Sequence, residues 1–151
     1  MARPIAVHKY QLGYNDGKLS ADITLSNSSW TKIWEYTVKA NEGIRLGRLR
    51  DGYIYLKVVD SSGNTIHGLF RIVVVSPDGE ITKVLYTNTT RACGDIADIL
   101  KKPRLPPLHR YPIRENWKIR IEMKSESASA TIDYDNAGNI LALDCLKVTY
   151  A

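Results

Sequence analysis

The 151-residue chain is 44% hydrophobic and 25% charged, an ordinary balance for a soluble globular protein that excludes global disorder and low complexity. Its longest apolar runs, such as Ile72–Val75, are far too short to cross a bilayer. The formal charge of +5 is local: residues 101 to 120 hold seven Lys/Arg against the single acid Glu115, a net +6, leaving −1 for the remainder.

The chain opens Met-Ala-Arg-Pro-Ile-Ala-Val-His-Lys-Tyr, with no apolar core of signal-peptide length and no small-residue cleavage site. Secretion by that route is not expected. Ala2–Lys9 reads as a short extended arm. Short runs rich in Ile, Val, Tyr, Thr and Trp then recur between Gly, Asn, Asp and Pro clusters. They predict strands at Ile5–Leu12, Ala21–Ser26, Ile33–Lys39, Ile44–Leu49 and Tyr53–Val59. Trp30 and Trp34, four apart, should share one strand face and enter the core; an exposed platform for sugar stacking is the alternative. Asn27-Ser-Ser29 and Asn88-Thr-Thr90 match the glycosylation sequon, a triplet with little force when no signal peptide accompanies it.

Strands are also predicted at Thr65–Val75 and Ile81–Thr87. Asp60-Ser-Ser-Gly-Asn64 and Ser76-Pro-Asp-Gly-Glu80 supply turns, because glycine takes the positive φ a tight loop needs and Pro77 pre-sets a turn entry. Only Asp95–Lys102 looks helical. Asp95 can cap it, apolar residues fall at 96, 99 and 100, lysines close its negative end, and Pro103 stops it. Pro103–Pro112 follows with four of the six prolines, an extended connection unfit for a central strand.

Three more strands are predicted at Trp117–Lys124, Ala128–Tyr134 and Ile140–Tyr150. In the first, Trp117, Ile119, Ile121 and Met123 point one way and Lys118, Arg120, Glu122 and Lys124 the other, the alternation of a half-buried antiparallel strand. Between the last two, Asp133–Asp144 echoes a calcium loop, with acids at its first, third and twelfth places and a glycine at the sixth. Its fifth place is Ala137, its ninth Leu141, and its flanks are β-like where an EF-hand needs helices. A hairpin turn with Gly138 in the left-handed position is the expectation, and no metal.

His8, His67 and His109 stand alone, with no metal-ligand spacing. Cys93 and Cys145 form neither a knuckle nor a redox pair; Cys145, in an apolar strand, reads as a buried free thiol, which leaves open whether the two are bridged. No GxSxG, phosphate-cradling glycine loop, GxGxxG or Cys–His context occurs. An enzyme is not expected, nor any catalytic residue or cofactor. The basic segment has three readings: phosphate contacts, a solvated face, or docking onto an acidic neighbour. Arg45-Leu-Gly-Arg-Leu-Arg50 adds a second basic cluster.

Eight to ten short strands and one helix imply an all-β antiparallel sandwich, jelly-roll-like, as a single domain over residues 1–151. The stretches "VVDSSGNTIHGLFRIVVVSPDGEI" and "YPIRENWKIRIEM" resemble those of small β-sandwich structural proteins of virions, of the capsid decoration or minor capsid type. The resemblance implies a non-enzymatic, homo-oligomeric protein that stabilises a capsid together with other capsid proteins. Localisation would be the virion, or otherwise the cytoplasm, with no membrane partner. Intersubunit contact would then fall on Arg3, Pro4, Arg104, Arg110, Tyr111 and Arg114. A carbohydrate- or ligand-binding module is the alternative, and a nucleic-acid-binding β-barrel the third reading.

Overall fold

A computed structural model describes residues 3–46, 53–89 and 111–151. Among them are twelve strands and one 3-10 turn. The expected helix near 95–102, together with Cys93, Arg104, Arg110 and the start of the proline-rich connection, lies outside the described residues.

Eight strands carry the architecture: β1 (Pro4–Gly13), β3 (Thr31–Thr37), β4 (Glu42–Leu46), β7 (Gly68–Val75), β8 (Ile81–Thr89), β9 (Tyr111–Ile113), β10 (Lys118–Ser125) and β12 (Ile140–Tyr150). One sheet runs β1-β12-β4-β9 and the second β3-β10-β7-β8; every pairing within them is antiparallel. Counting the eight in chain order, the first sheet holds numbers 1-8-3-6 and the second 2-7-4-5. That alternation between two sheets is the jelly roll, two interlocked Greek keys. Four short strands complete the set. β5 (Tyr53–Tyr55) joins the first sheet beside β12, while β2 (Ile23–Leu25), β11 (Ala130–Ile132) and β6 (Val58–Val59) form a small third sheet.

Period-2 patterning builds the core. In β10 the side chains of Ile119, Ile121 and Met123 are buried against the other sheet. They meet Ile33, Trp34, Phe70 and Ile72 in a layer that closes on Leu12, Ile44, Leu46, Leu143 and Cys145. Each fully buried side chain of this size contributes about 1.5–3 kcal/mol through the apolar surface it removes from water. The indole N–H of Trp34 donates to the Tyr14 carbonyl oxygen at 3.1 Å, so its one polar group is satisfied as well.

The two wide turns form as expected. Gly63 and Gly79 take φ of +82° and +92°, and Asp60 Oδ1 accepts from the N–H groups of Ser62 and Asn64. Elsewhere the structure corrects the sequence reading. The Tyr53–Val59 run is cut in two, because Ile54 pairs with Leu141 in the first sheet and Val58 with Ile132 in the third. Asp133–Asn139 is no hairpin: β11 and β12 on either side of it belong to different sheets. Its asparagines hold a sheet-to-sheet crossing, with Asn139 Nδ2 donating to the Asp133 carbonyl and Asn139 Oδ1 accepting from Lys57 N–H. Gly138 is absent from the positive-φ positions, since Asn136 Oδ1 accepts its N–H and closes the turn without a left-handed residue.

Trp30 and Trp34 do not share a face. β3 pairs Trp34 with Ile121 and Lys32 with Glu122, leaving Ile33 as an extra residue in a β-bulge. The bulge shifts the alternation by one. Ile33 and Trp34 both enter the core, and Trp30 emerges on the outer face, where Arg71 and Lys124 sit 4.5 and 4.9 Å from its ring centroid.

Candidate intersubunit surface

The register across the first sheet fixes which side chains share its outer face. Val7 stands opposite Val148, which stands opposite Gly43; Lys9 stands opposite Leu146, then Arg45, then Pro112. Ile44 pairs with Ile113, so Gly43 and Arg114 fall on the same side one step along. Glycine at 43 leaves one place in this face without a side chain. A Cβ added there would come within 3.1 Å of the Tyr150 ring, so the tyrosine leans over the gap.

The result is a groove of about 590 Å³ between β4, β9 and the end of β12. Val148, Tyr150 and Gly43 line it together with Arg45, Pro112 and Arg114. Val148 is buried, while Arg45, Pro112 and Arg114 are exposed. Neither guanidinium has an ion-pair partner among the described residues. Glu115 also lines the groove, but its Oε2 accepts the Asn41 N–H at 2.8 Å.

A buried polar lock sits on the opposite side of the same strands. The Tyr36 hydroxyl donates to Glu42 Oε1 at 2.5 Å, and Lys147 Nζ lies 3.1 Å from Glu42 Oε2. The same ammonium is 4.4 Å from the Tyr10 ring centroid. Burial first, and the Glu42 carboxylate second, push the Tyr36 hydroxyl well above its ordinary pKa. Glu42 is 6% exposed; with one oxygen on the Tyr36 hydroxyl and the other on the Lys147 ammonium, it ties β4 to β3 and β12 beneath the groove.

The outer face of the second sheet is organised differently, because its charges answer one another. Arg71 Nε donates to Glu122 Oε1 at 2.7 Å, Arg120 Nε to Glu35 Oε2 at 2.7 Å, and Arg120 also reaches Glu122 at 3.5 Å. Lys118 and Lys32 sit 3.9 and 3.8 Å from Glu35. Trp30 lies under Arg71 and Lys124 and does not present a free ring to a sugar.

Of the residues expected at contacts, Arg3 and Pro4 lie at the start of the edge strand β1, where Pro4 pairs with Tyr150 and the Arg3 carbonyl accepts from Ala151 N–H. Arg114 lies at the groove rim beyond β9. Tyr111 opens β9, opposite Leu46. Tyr150 thus links Pro4 to the groove that Arg114 borders, while Arg104 and Arg110 lie outside the described residues. The arm residues Pro4–Lys9 form the outer part of β1, every side chain exposed. Ile5 and Val7 are 61% and 58% exposed, an apolar edge of the kind sheet proteins usually cover.

Sequence reasoning missed Gly43, Val148 and Tyr150. The signal was present in β12: Leu141, Leu143 and Cys145 mark the core side, yet Leu146, Val148 and Tyr150 place large apolar side chains on the other parity. Among the described residues no three His, Cys, Asp or Glu are grouped to hold a metal ion, and no helix is long and apolar enough to cross a membrane.

No protein-family model matches the chain, and no curated protein does. Among solved structures, the chain is similar to VP17, a capsid protein of bacteriophage P23-77, with a TM-score of 0.74 at 7% identity, over 100% of this chain and 99% of that one. It is also similar to the VP16-VP17 complex of the two major capsid proteins of bacteriophage P23-77, with a TM-score of 0.69 at 8% identity, over 97% of this chain and 100% of that one. At such identities the likeness establishes a shared fold.

Proposed function

We propose that this chain is a non-enzymatic structural subunit of a virion shell, acting as one jelly-roll domain that packs against copies of itself and against other capsid proteins. The observation that carries the reading is the full-length match, end to end on both chains, to the fold of a phage capsid protein. A jelly roll by itself hosts many functions. What joins it to a packing role here is the surface of the first sheet: an apolar edge at Ile5 and Val7, and an unfilled groove rimmed by arginines without partners. The solved complex of two major capsid proteins offers a precedent for partnership between two such chains. Arg3, Pro4 and Arg114 around that face, with Arg104, Arg110 and Tyr111 from the basic segment, are the proposed contacts.

The test is mass measurement of the purified protein in solution, alone and mixed with the shell proteins of the particle that encodes it. A defined oligomer or a stable co-complex is the expected result. A monomer that ignores every shell component rejects the reading.

A further inference from the structure

Two outer faces differ in how their charges are answered. On the second sheet Arg71 and Arg120 are closed by Glu122 and Glu35; on the first, Arg45 and Arg114 border a groove with no acid paired to either among the described residues. The groove floor is apolar, formed where Gly43 leaves a gap beside the buried Val148 and the Tyr150 ring. Unpaired cations around an apolar hollow favour an occupant that supplies both an apolar anchor and carboxylates.

We infer that the groove between β4, β9 and the end of β12 receives an extended acidic segment of a neighbouring shell protein. One aliphatic or aromatic side chain of the segment lies over Gly43 against Val148, and flanking carboxylates meet Arg45 and Arg114. Extended geometry suits the site, since adjacent rows of a sheet face repeat at the spacing of alternate side chains in a strand. The partner is a different polypeptide and not a second copy, because this chain carries a net +5 and would bring more positive charge to a rim where Arg45 and Arg114 are unpaired among the described residues and the one exposed acid, Glu115, is already held by the Asn41 N–H. This inference rests on the shell-subunit reading but is tested without a shell.

The probe is a blocked peptide of alternating glutamate and leucine, Ac-ELELE-amide, titrated into the intact protein while side-chain methyl NMR shifts are followed. Its control replaces each glutamate with lysine. Shifts should concentrate at Val148, whose side chain lines the groove, and binding should weaken as salt is added. The exposed double variant Arg45→Glu/Arg114→Glu should weaken binding by about tenfold or more; Arg45→Gln/Arg114→Gln provides the same test if the reversal disturbs folding. Equal binding of the lysine control, unchanged binding by the folded variants, or no shift at millimolar peptide would overturn the inference. If the protein co-assembles with shell proteins and the peptide fails, the groove assignment falls alone. Should the peptide bind while no shell protein is recognised, it is the shell-subunit reading that fails.

Discussion

Tyr134 is 3% exposed, yet its hydroxyl has no hydrogen-bond partner among the described residues. Its ring packs 6.1 Å from Tyr14, whose own hydroxyl donates to the Tyr134 carbonyl at 2.7 Å. The ring therefore belongs to the core while the hydroxyl is desolvated without return, a penalty of about 1–3 kcal/mol. Tyr134→Phe should keep the packing and raise stability by about 1 kcal/mol, read as a higher denaturant midpoint at unchanged slope. A lower midpoint would mean that the hydroxyl is satisfied in solution. Gly43 illustrates the reverse economy: the side chain it lacks is what leaves the groove open beside Tyr150.

At the scale of elements, β10 is fastened to both neighbours by the charge ladder on its outer face. Glu122 is 5% exposed and takes Arg71 at 2.6 Å and Arg120 at 3.5 Å. Removing its charge leaves Arg71 without an ion-pair partner among the described residues and Arg120 with Glu35 alone. Glu122→Gln should cost about 2–3 kcal/mol, below the range for wholly buried pairs because both arginines keep some solvent; thermal melts check it. β1 divides into two parts. Leu12 is in the core and Tyr10 packs against it, whereas Pro4–Lys9 add only ladder bonds to β12 and exposed side chains. Deleting residues 1–9 should lower Tm by about 4–8 °C, equivalent to about 2 kcal/mol, with unfolding still cooperative and assembly weakened. Collapse of the fold would make the segment an integral core strand.

For the whole molecule, the buried acids of neutral form set the alkaline limit. Burial pushes the Cys145 thiol from 9.0 up to about 12, with the Asp144 and Glu42 carboxylates adding to it. The Tyr36 and Tyr134 hydroxyls are raised above 10.0, in both cases chiefly by burial. Above about pH 9 the unfolded chain releases protons that the folded chain keeps, so the folded state binds more protons and stability falls as pH rises. Urea midpoints should be flat from about pH 7 to 8.5 and then decline through pH 12. Cys145→Ala should remove the earliest part of that decline.

Much of this architecture can be read in the sequence. Alternation in Trp117–Lys124, the two glycine turns, and β-branched runs bounded by Gly, Asn and Pro are local signals, fixed by backbone geometry and by which side chains prefer water. They determine that the chain makes stacked antiparallel sheets. The tertiary structure decided what local signals do not encode. Pairing partners lie far apart, as Pro4 and Tyr150 do, so the jelly-roll order and the split of Tyr53–Val59 between two sheets depend on contacts made only after collapse. The bulge at Ile33 reversed the face of Trp30 through a register that β10 imposes. The groove has the same origin: Gly43 and Arg45 come from β4, Val148 from β12 and Arg114 from just past β9, and only the alignment of those strands brings an empty position, an apolar floor and two unanswered charges to one place.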